Sequence, residues 1–245
     1  MNGSLLGTLA LGFVLGLKHA LDADHLVAVS TIVGREKSIW KSSIVGAVWG
    51  MGHTASLFVA AVGVILLKLT ISPRVALTLE FGVGLMLILL GLDLVRRVIK
   101  GEISIHSHSH GHGGDSREDL DEHLHDHLHV HTDVLAAADG SHHAVGRRPF
   151  FVGLVHGFAG SAALMLFVLT TITNPWIGLL YVLIFGGGTI GGMLVMSTVI
   201  GLPFALANRA FAGIVGKIQF AAGLGSLGFG IFYAWRIALE IRIGF

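Results

Sequence analysis

The stretch "WGMGHTASLFVAAVGVIL", residues 49–66, is a predominantly apolar run with a single ionisable side chain, His53. It returns 136 residues later as "FGGGTIGGMLVMSTVIGL", residues 185–202, with Phe185 standing where Trp49 stood. Two further pairs lie in the same order. "GLKH" at 16–19 matches "GLVH" at 153–156, and "FGVGLMLILLGLDLVRR" at 81–97 matches "FAAGLGSLGFGIFYAWR" at 220–236, with offsets of 137 and 139 residues. Glycine and leucine are common in this chain, so one such match would mean little. Three colinear matches predict an internal duplication.

The chain has 245 residues, of which 53% are hydrophobic and 13% charged, and a mean hydropathy of +0.78. This is the balance of a membrane protein. Runs long enough to cross about 30 Å of hydrocarbon lie near residues 4–33, 43–68, 74–97, 150–173, 176–202 and 212–237. The expected fold is therefore an all-α integral membrane protein of about six transmembrane helices. The first run lacks a basic leader and is too long for a signal-peptide core, so it is expected to persist in the mature protein. The 35 glycines suit helices that approach closely through small residues in lipid.

Residues 101–148 change character to "GEISIHSHSHGHGGDSREDLDEHLHDHLHVHTDVLAAADGSHHAVGRR", a polar connector without core-forming periodicity. The expected organisation is a three-helix repeat at 1–100, a flexible His-rich loop at 101–148 and a second three-helix repeat at 149–245. A repeat with an odd number of spans must invert across the bilayer, which is the plan of many transporters. With the amino terminus outside, the cytoplasmic side receives Arg35, Lys37, Lys41, Arg96, Arg97, Lys100, Arg117, Arg147, Arg148, Arg209 and Lys217. The outside keeps Lys68, Arg74, Arg236 and Arg242. The positive-inside rule thus puts the amino terminus outside and the loop in the cytoplasm.

The polar residues inside the spans carry the chemistry. "GLKHALDADHLVAVS", residues 16–30, holds two histidines and two aspartates in an apolar run. An ionisable group at bilayer depth costs about 2.5–3.5 kcal/mol on insertion scales, so several together require pairing, a wet cavity or a bound ion. On a regular helix His19, Asp22 and His25 share a sector of roughly 120°. Asp24 lies about 140° from His19; it either orients a histidine of a neighbouring helix or sits on a distorted one. Histidine and aspartate suit a divalent metal, and with no cysteine in the chain the donors must be nitrogen, oxygen or thioether. A purely structural polar network is the plainer alternative. His53 is the next candidate ligand, with Thr54 beside it, and Met51 reads more simply as packing. His156 occupies the place of His19 in the second half, as a distal ligand, a gate residue or a structural histidine. Asp93 has Arg96 and Arg97 within helical reach as salt-bridge partners, whereas Glu80 is less easily accounted for. The loop adds His106, His108, His110, His112, His123, His125, His127, His129, His131, His142 and His143, a composition suited to labile metal capture, buffering or sensing. Neither a GxxxxGK[ST] phosphate loop nor an HExxH motif is present.

"HALDADH" at 19–25 and "GMGHTAS" at 50–56 together resemble the signature of the nickel/cobalt transporter (NiCoT) family. The resemblance is strongest over the first hundred residues. It is closest to the shorter urease-accessory-type membrane relatives, because the helix before the signature and the family's Gly-Phe-Asp-Thr-Ala-Thr-Glu stretch are missing, with "LVHGFAGSAAL" at the comparable place. It implies a multi-pass permease of the cytoplasmic (inner) membrane that carries Ni2+ or Co2+, with Zn2+ open as an alternative. It is expected to import the ion, with His19, Asp24, His25 and His53 on the path and Asp22 in the same motif. No catalytic cofactor, catalytic residue or nucleic-acid partner is implied. The partners would be the metal ion, the lipid bilayer and nickel-enzyme maturation proteins. Efflux, a membrane metalloenzyme and a metal sensor are the rival readings. Protons compete with metal for imidazole nitrogen, so coupling of release to pH is a further expectation.

Overall fold

The amino-terminal apolar run does not cross as one helix. In the computed structural model, which describes residues 2–34, 36, 38–100, 106–107, 126–127, 147–206 and 212–243, helix α1 (Asn2–His19) stops and α2 (Ala23–Val33) restarts after a bend of 56°. Asp22 is extended at the join, with φ −62° and ψ 146°, and is the N-cap of α2. Lys18 and His19 end α1 and Asp24 opens α2, so charges of the favourable sign face each helix end. The run at 4–33, expected as a single helix, is thus two helices joined at a bend.

Helices α3 (Ile39–Ala61), α4 (Pro73–Ile99), α5 (Arg148–Thr171), α6 (Pro175–Leu206) and α7 (Ala212–Ile243) complete the bundle. α3 runs on through a π-helical turn at Val62–Leu66, after which Lys68 takes a positive φ of 52°. Ser72 caps α4 by accepting from the Val75 amide, and Asn174 caps α6 by accepting from the Trp176 and Ile177 amides. A proline follows each cap at the first helical position, where a missing N–H costs nothing. α3, α4, α6 and α7 are each long and apolar enough to span, and the bent α1–α2 pair makes a fifth candidate. The protein is therefore an all-helical, multi-pass membrane protein. Within the connector the described residues are His106–Ser107 and Asp126–His127, which form a two-residue antiparallel pairing, and Arg147 and Arg148 at the start of α5; Arg117 and the other loop histidines named above lie outside the described residues.

α1 packs on α6, α3 on both α5 and α6, and α4 on α7. Each seam is closed by backbone approach. Gly16 faces the Phe185 carbonyl and Gly153 the Trp49 carbonyl; Gly52 faces the Phe150 carbonyl and Gly188 the Phe13 carbonyl. Gly91 lies against Gly223, and Gly230 against Gly84. One apolar cluster gathers Val29, Val45, Trp49, Leu87 and Met193, and a second gathers Leu57, Ala61, Leu179, Val182 and Phe185. On α3, His53 falls between the two. Exposed Trp40 and Trp176 stand at the starts of α3 and α6, the positions favoured by interfacial tryptophan.

The α2 end is anchored from α7, where the Gln219 amide donates to the Gly34 carbonyl, both buried in this contact. Gln219→Leu strands that carbonyl, and an unsatisfied buried acceptor costs about 1–3 kcal/mol. A fall of a few degrees in the thermal unfolding midpoint of the detergent-solubilised protein is expected, and an unchanged midpoint would remove the anchor.

Candidate metal centre

The break at Ala20–Asp22 re-aims the polar residues of the first two helices. His19, at the end of α1, donates from Nδ1 to Asp22 Oδ2 at 2.8 Å. That contact fixes its tautomer and leaves Nε2 as a lone-pair donor. His19 Nε2 meets His53 Nε2 of α3 at 3.2 Å, which in neutral rings makes His53 the hydrogen donor. His25, buried in the first turns of α2, has its ring centroid 4.7 Å from that of His19 and 5.1 Å from that of His53. Ligand atoms of His19, His25 and His53 all lie within 4.8 Å of one another.

Asp24 turns to the other side of His25. Its Oδ1 accepts from the His25 amide at 3.0 Å and from His25 Nδ1 at 3.1 Å, and its Oδ2 accepts from Nε2 of His156 on α5 at 2.8 Å. Asp24, His25 and His156 form a second group whose ligand atoms also lie within 4.8 Å of one another. His25, His53 and His156 are 2% exposed or less. His25 Nε2, His53 Nδ1 and His156 Nδ1 are buried without a hydrogen-bond partner among the described residues, an arrangement that costs energy unless something occupies it.

The remaining candidates are placed elsewhere. Thr54 donates to the Gly186 carbonyl at 3.1 Å and closes the α3–α6 seam. Met51 is on an exposed face. Asp93 pairs with Arg97 at 2.9 Å and with Arg148 at 3.2 Å, tying α4 to α5. Glu80 accepts from the Tyr233 hydroxyl at 3.4 Å. Sequence reasoning passed over the aromatic flanks: Phe185 lies 5.5 Å from the His19 ring and Trp49 6.0 Å from the His156 ring. The signal was available, since Trp49 and Phe185 are equivalent in the duplicated stretch and His19 and His156 are too.

Buried imidazoles at contact distance, beside a carboxylate, form a set of donors for a borderline divalent ion. A family model described as a high-affinity nickel-transport protein, NicO, matches residues 5–239. The urease accessory protein UreH of Bacillus sp. (strain TB-90) is 39% identical over 235 residues, which cover 96% of this chain and 93% of that protein. The high-affinity nickel transport protein of Cupriavidus necator (strain ATCC 17699 / DSM 428 / KCTC 22496 / NCIMB 10442 / H16 / Stanier 337) is 33% identical over 79 residues, which cover 32% of this chain and 22% of that protein. No solved structure matches the chain.

Proposed function

Because the chain belongs to the NicO family of high-affinity nickel-transport proteins, a family of permeases and not of enzymes, we propose that it carries Ni2+ across the cytoplasmic membrane through the histidine cluster at the α1–α2 break. The observation that carries this reading is the convergence of half-buried His19 with buried His25 and His53 between the two apolar clusters of the bundle. A hydrated dication cannot cross hydrocarbon, and these groups replace its water. Asp22 holds His19 with Nε2 free to ligate, and Asp24 does the same for Nε2 of His25. Co2+ and Zn2+ suit the same donors, with selectivity decided by geometry.

The working architecture is six spans in two inverted repeats, 1–100 and 149–245, with α5 as the sixth span. The seams support it. Shifting Gly16–Phe185 by the offsets of the duplication gives Gly153–Trp49, and shifting Gly188–Phe13 gives Gly52–Phe150. Shifting Gly91–Gly223 gives Gly230–Gly84. Contacts that exchange in this way are what a two-fold axis in the membrane plane would produce, and rocking of the halves about it would expose the cluster to either side. The positive-inside balance places the amino terminus outside and the loop in the cytoplasm. Import then delivers nickel to the loop histidines, which buffer it for nickel-enzyme maturation proteins.

Accumulation of radioactive nickel in cells expressing equal amounts of each variant tests the proposal. His19→Ala and His25→Ala are expected to lower uptake about tenfold or more. Deletion of residues 104–143 should keep a substantial part of it. Loss of uptake only in the deletion would move the function to the loop, and a fall in cell nickel on expression of the wild type would reverse the direction.

A further inference from the structure

His156 is not a bystander to the cluster. It lies 137 residues from His19, at the equivalent place of the other half, and each of the two packs on the matching aromatic ring, His19 on Phe185 and His156 on Trp49. Their ring centroids lie 4.7 Å and 4.2 Å from that of His25. His25 therefore sits between two equivalent histidines, and its two nitrogens are used differently: Nδ1 meets Asp24 at 3.1 Å, while Nε2 is buried and unpartnered.

The two groups of donors lie side by side and differ in chemistry. His53 and His156 stand at one level, because a Cβ on Gly157 would meet the His53 backbone, and their ring centroids are 5.9 Å apart. We infer that the centre is two adjoining metal sites sharing His25, an imidazole site of His19, His25 and His53 and a carboxylate site of Asp24, His25 and His156, between which the ion is handed during transport.

The inference rests on the permease reading above and adds the carboxylate site. Its contacts of 2.8 and 3.1 Å match the roughly 3 Å ligand-to-ligand edge of an octahedron with bonds of about 2.1 Å. Occupation of the carboxylate site requires the ring tautomers with hydrogen on His25 Nε2 and His156 Nδ1, two atoms that are otherwise unpartnered among the described residues. The first site is all imidazole, whereas the second includes a carboxylate. An ion captured by the neutral donors is therefore drawn on to the second site by the charge of Asp24. One shared imidazole keeps the sites from holding two ions independently, which favours passage over storage.

The test is initial Ni2+ uptake by the full chain in proteoliposomes across a range of nickel concentrations, with His53→Ala, His156→Gln and His156→Ala beside the wild type. Glutamine can still donate a hydrogen bond to Asp24, so a purely structural role for His156 survives in His156→Gln. His53→Ala is expected to raise the half-saturating concentration about tenfold or more. His156→Gln is expected to lower the maximal rate by a similar factor while shifting the half-saturating concentration less than about twofold. Wild-type kinetics in His156→Gln would reduce His156 to a hydrogen-bond donor and overturn the carboxylate site. A rise in half-saturating concentration equal to that of His53→Ala, at full maximal rate, would merge both groups into one site. If neither His156 variant turns over, Ni2+ titration of the same solubilised chains decides: capture like the wild type supports the handover, and lost capture overturns it. Absence of uptake by the wild type itself would instead remove the nickel-permease reading.

Discussion

Gly16→Val and Gly153→Val are each expected to leave almost no folded protein in the membrane. A Cβ at Gly16 would fall on the Phe185 carbonyl carbon and oxygen, and one at Gly153 on the Trp49 backbone and indole. These neighbours are helix backbone, so relief requires the helices to part. In lipid no hydrophobic force compensates, because the parted faces are covered by equally apolar acyl chains and the close packing is itself the source of association. Overpacking of this kind belongs to the severe class, with losses above about 4 kcal/mol. Gly7→Val and Gly187→Val serve as controls, since an added Cβ meets nothing within 4 Å at either position. The measurement is the monodisperse peak in size-exclusion chromatography of detergent extracts. Wild-type peaks from both Gly16→Val and Gly153→Val would mean that the α1–α6 and α3–α5 seams are not packed as described. A large effect in only one would count against equivalent halves.

Helix content and the apolar spans are legible in the sequence because lipid imposes length and composition on every crossing segment. The glycine seams are half legible. Colinear matches around Gly16, Gly52 and Gly91 mark positions where small residues recur, but only coordinates show which backbone fills the space. The break at Ala20–Asp22 is concealed by the apolar run around it, which contains no glycine or proline between His19 and His25. Its signature is present nonetheless: Lys18 and His19 close one helix, and Asp22 and Asp24 open the next. Treating the run as one regular helix puts Asp24 about 140° from His19, on the wrong side for a shared site. With the bend, it reaches His25 and, across the bundle, His156. The place of His156 beside Asp24 depends on long-range packing of α5 and could be named from the sequence only through its equivalence to His19.

Asp24→Asn should reduce nickel transport by about a hundredfold or more while leaving the bundle folded. Asparagine keeps the size of aspartate, can accept from the His25 amide, and can turn its NH2 toward a His156 ring nitrogen, so the contacts that now hold the two rings have replacements. What is lost is the charge. A unit charge about 4 Å from a cation is worth about 2 kcal/mol per unit of ion charge when the effective dielectric is near 40, and roughly 4 at 20. Asp24 is 24% exposed, so solvent screening favours the lower figure. For a dication that still amounts to several kcal/mol, or two to three decades in affinity at about 1.4 kcal/mol per decade. Asp22 supplies the contrast: it is 51% exposed and touches His19 from outside the cluster, so Asp22→Asn is expected to cost about tenfold. Uptake by Asp24→Asn and Asp22→Asn, measured at matched levels of the folded peak, separates the two aspartates. Equal, small losses would mean that neither carboxylate interacts directly with the ion, leaving the imidazoles alone to replace its water.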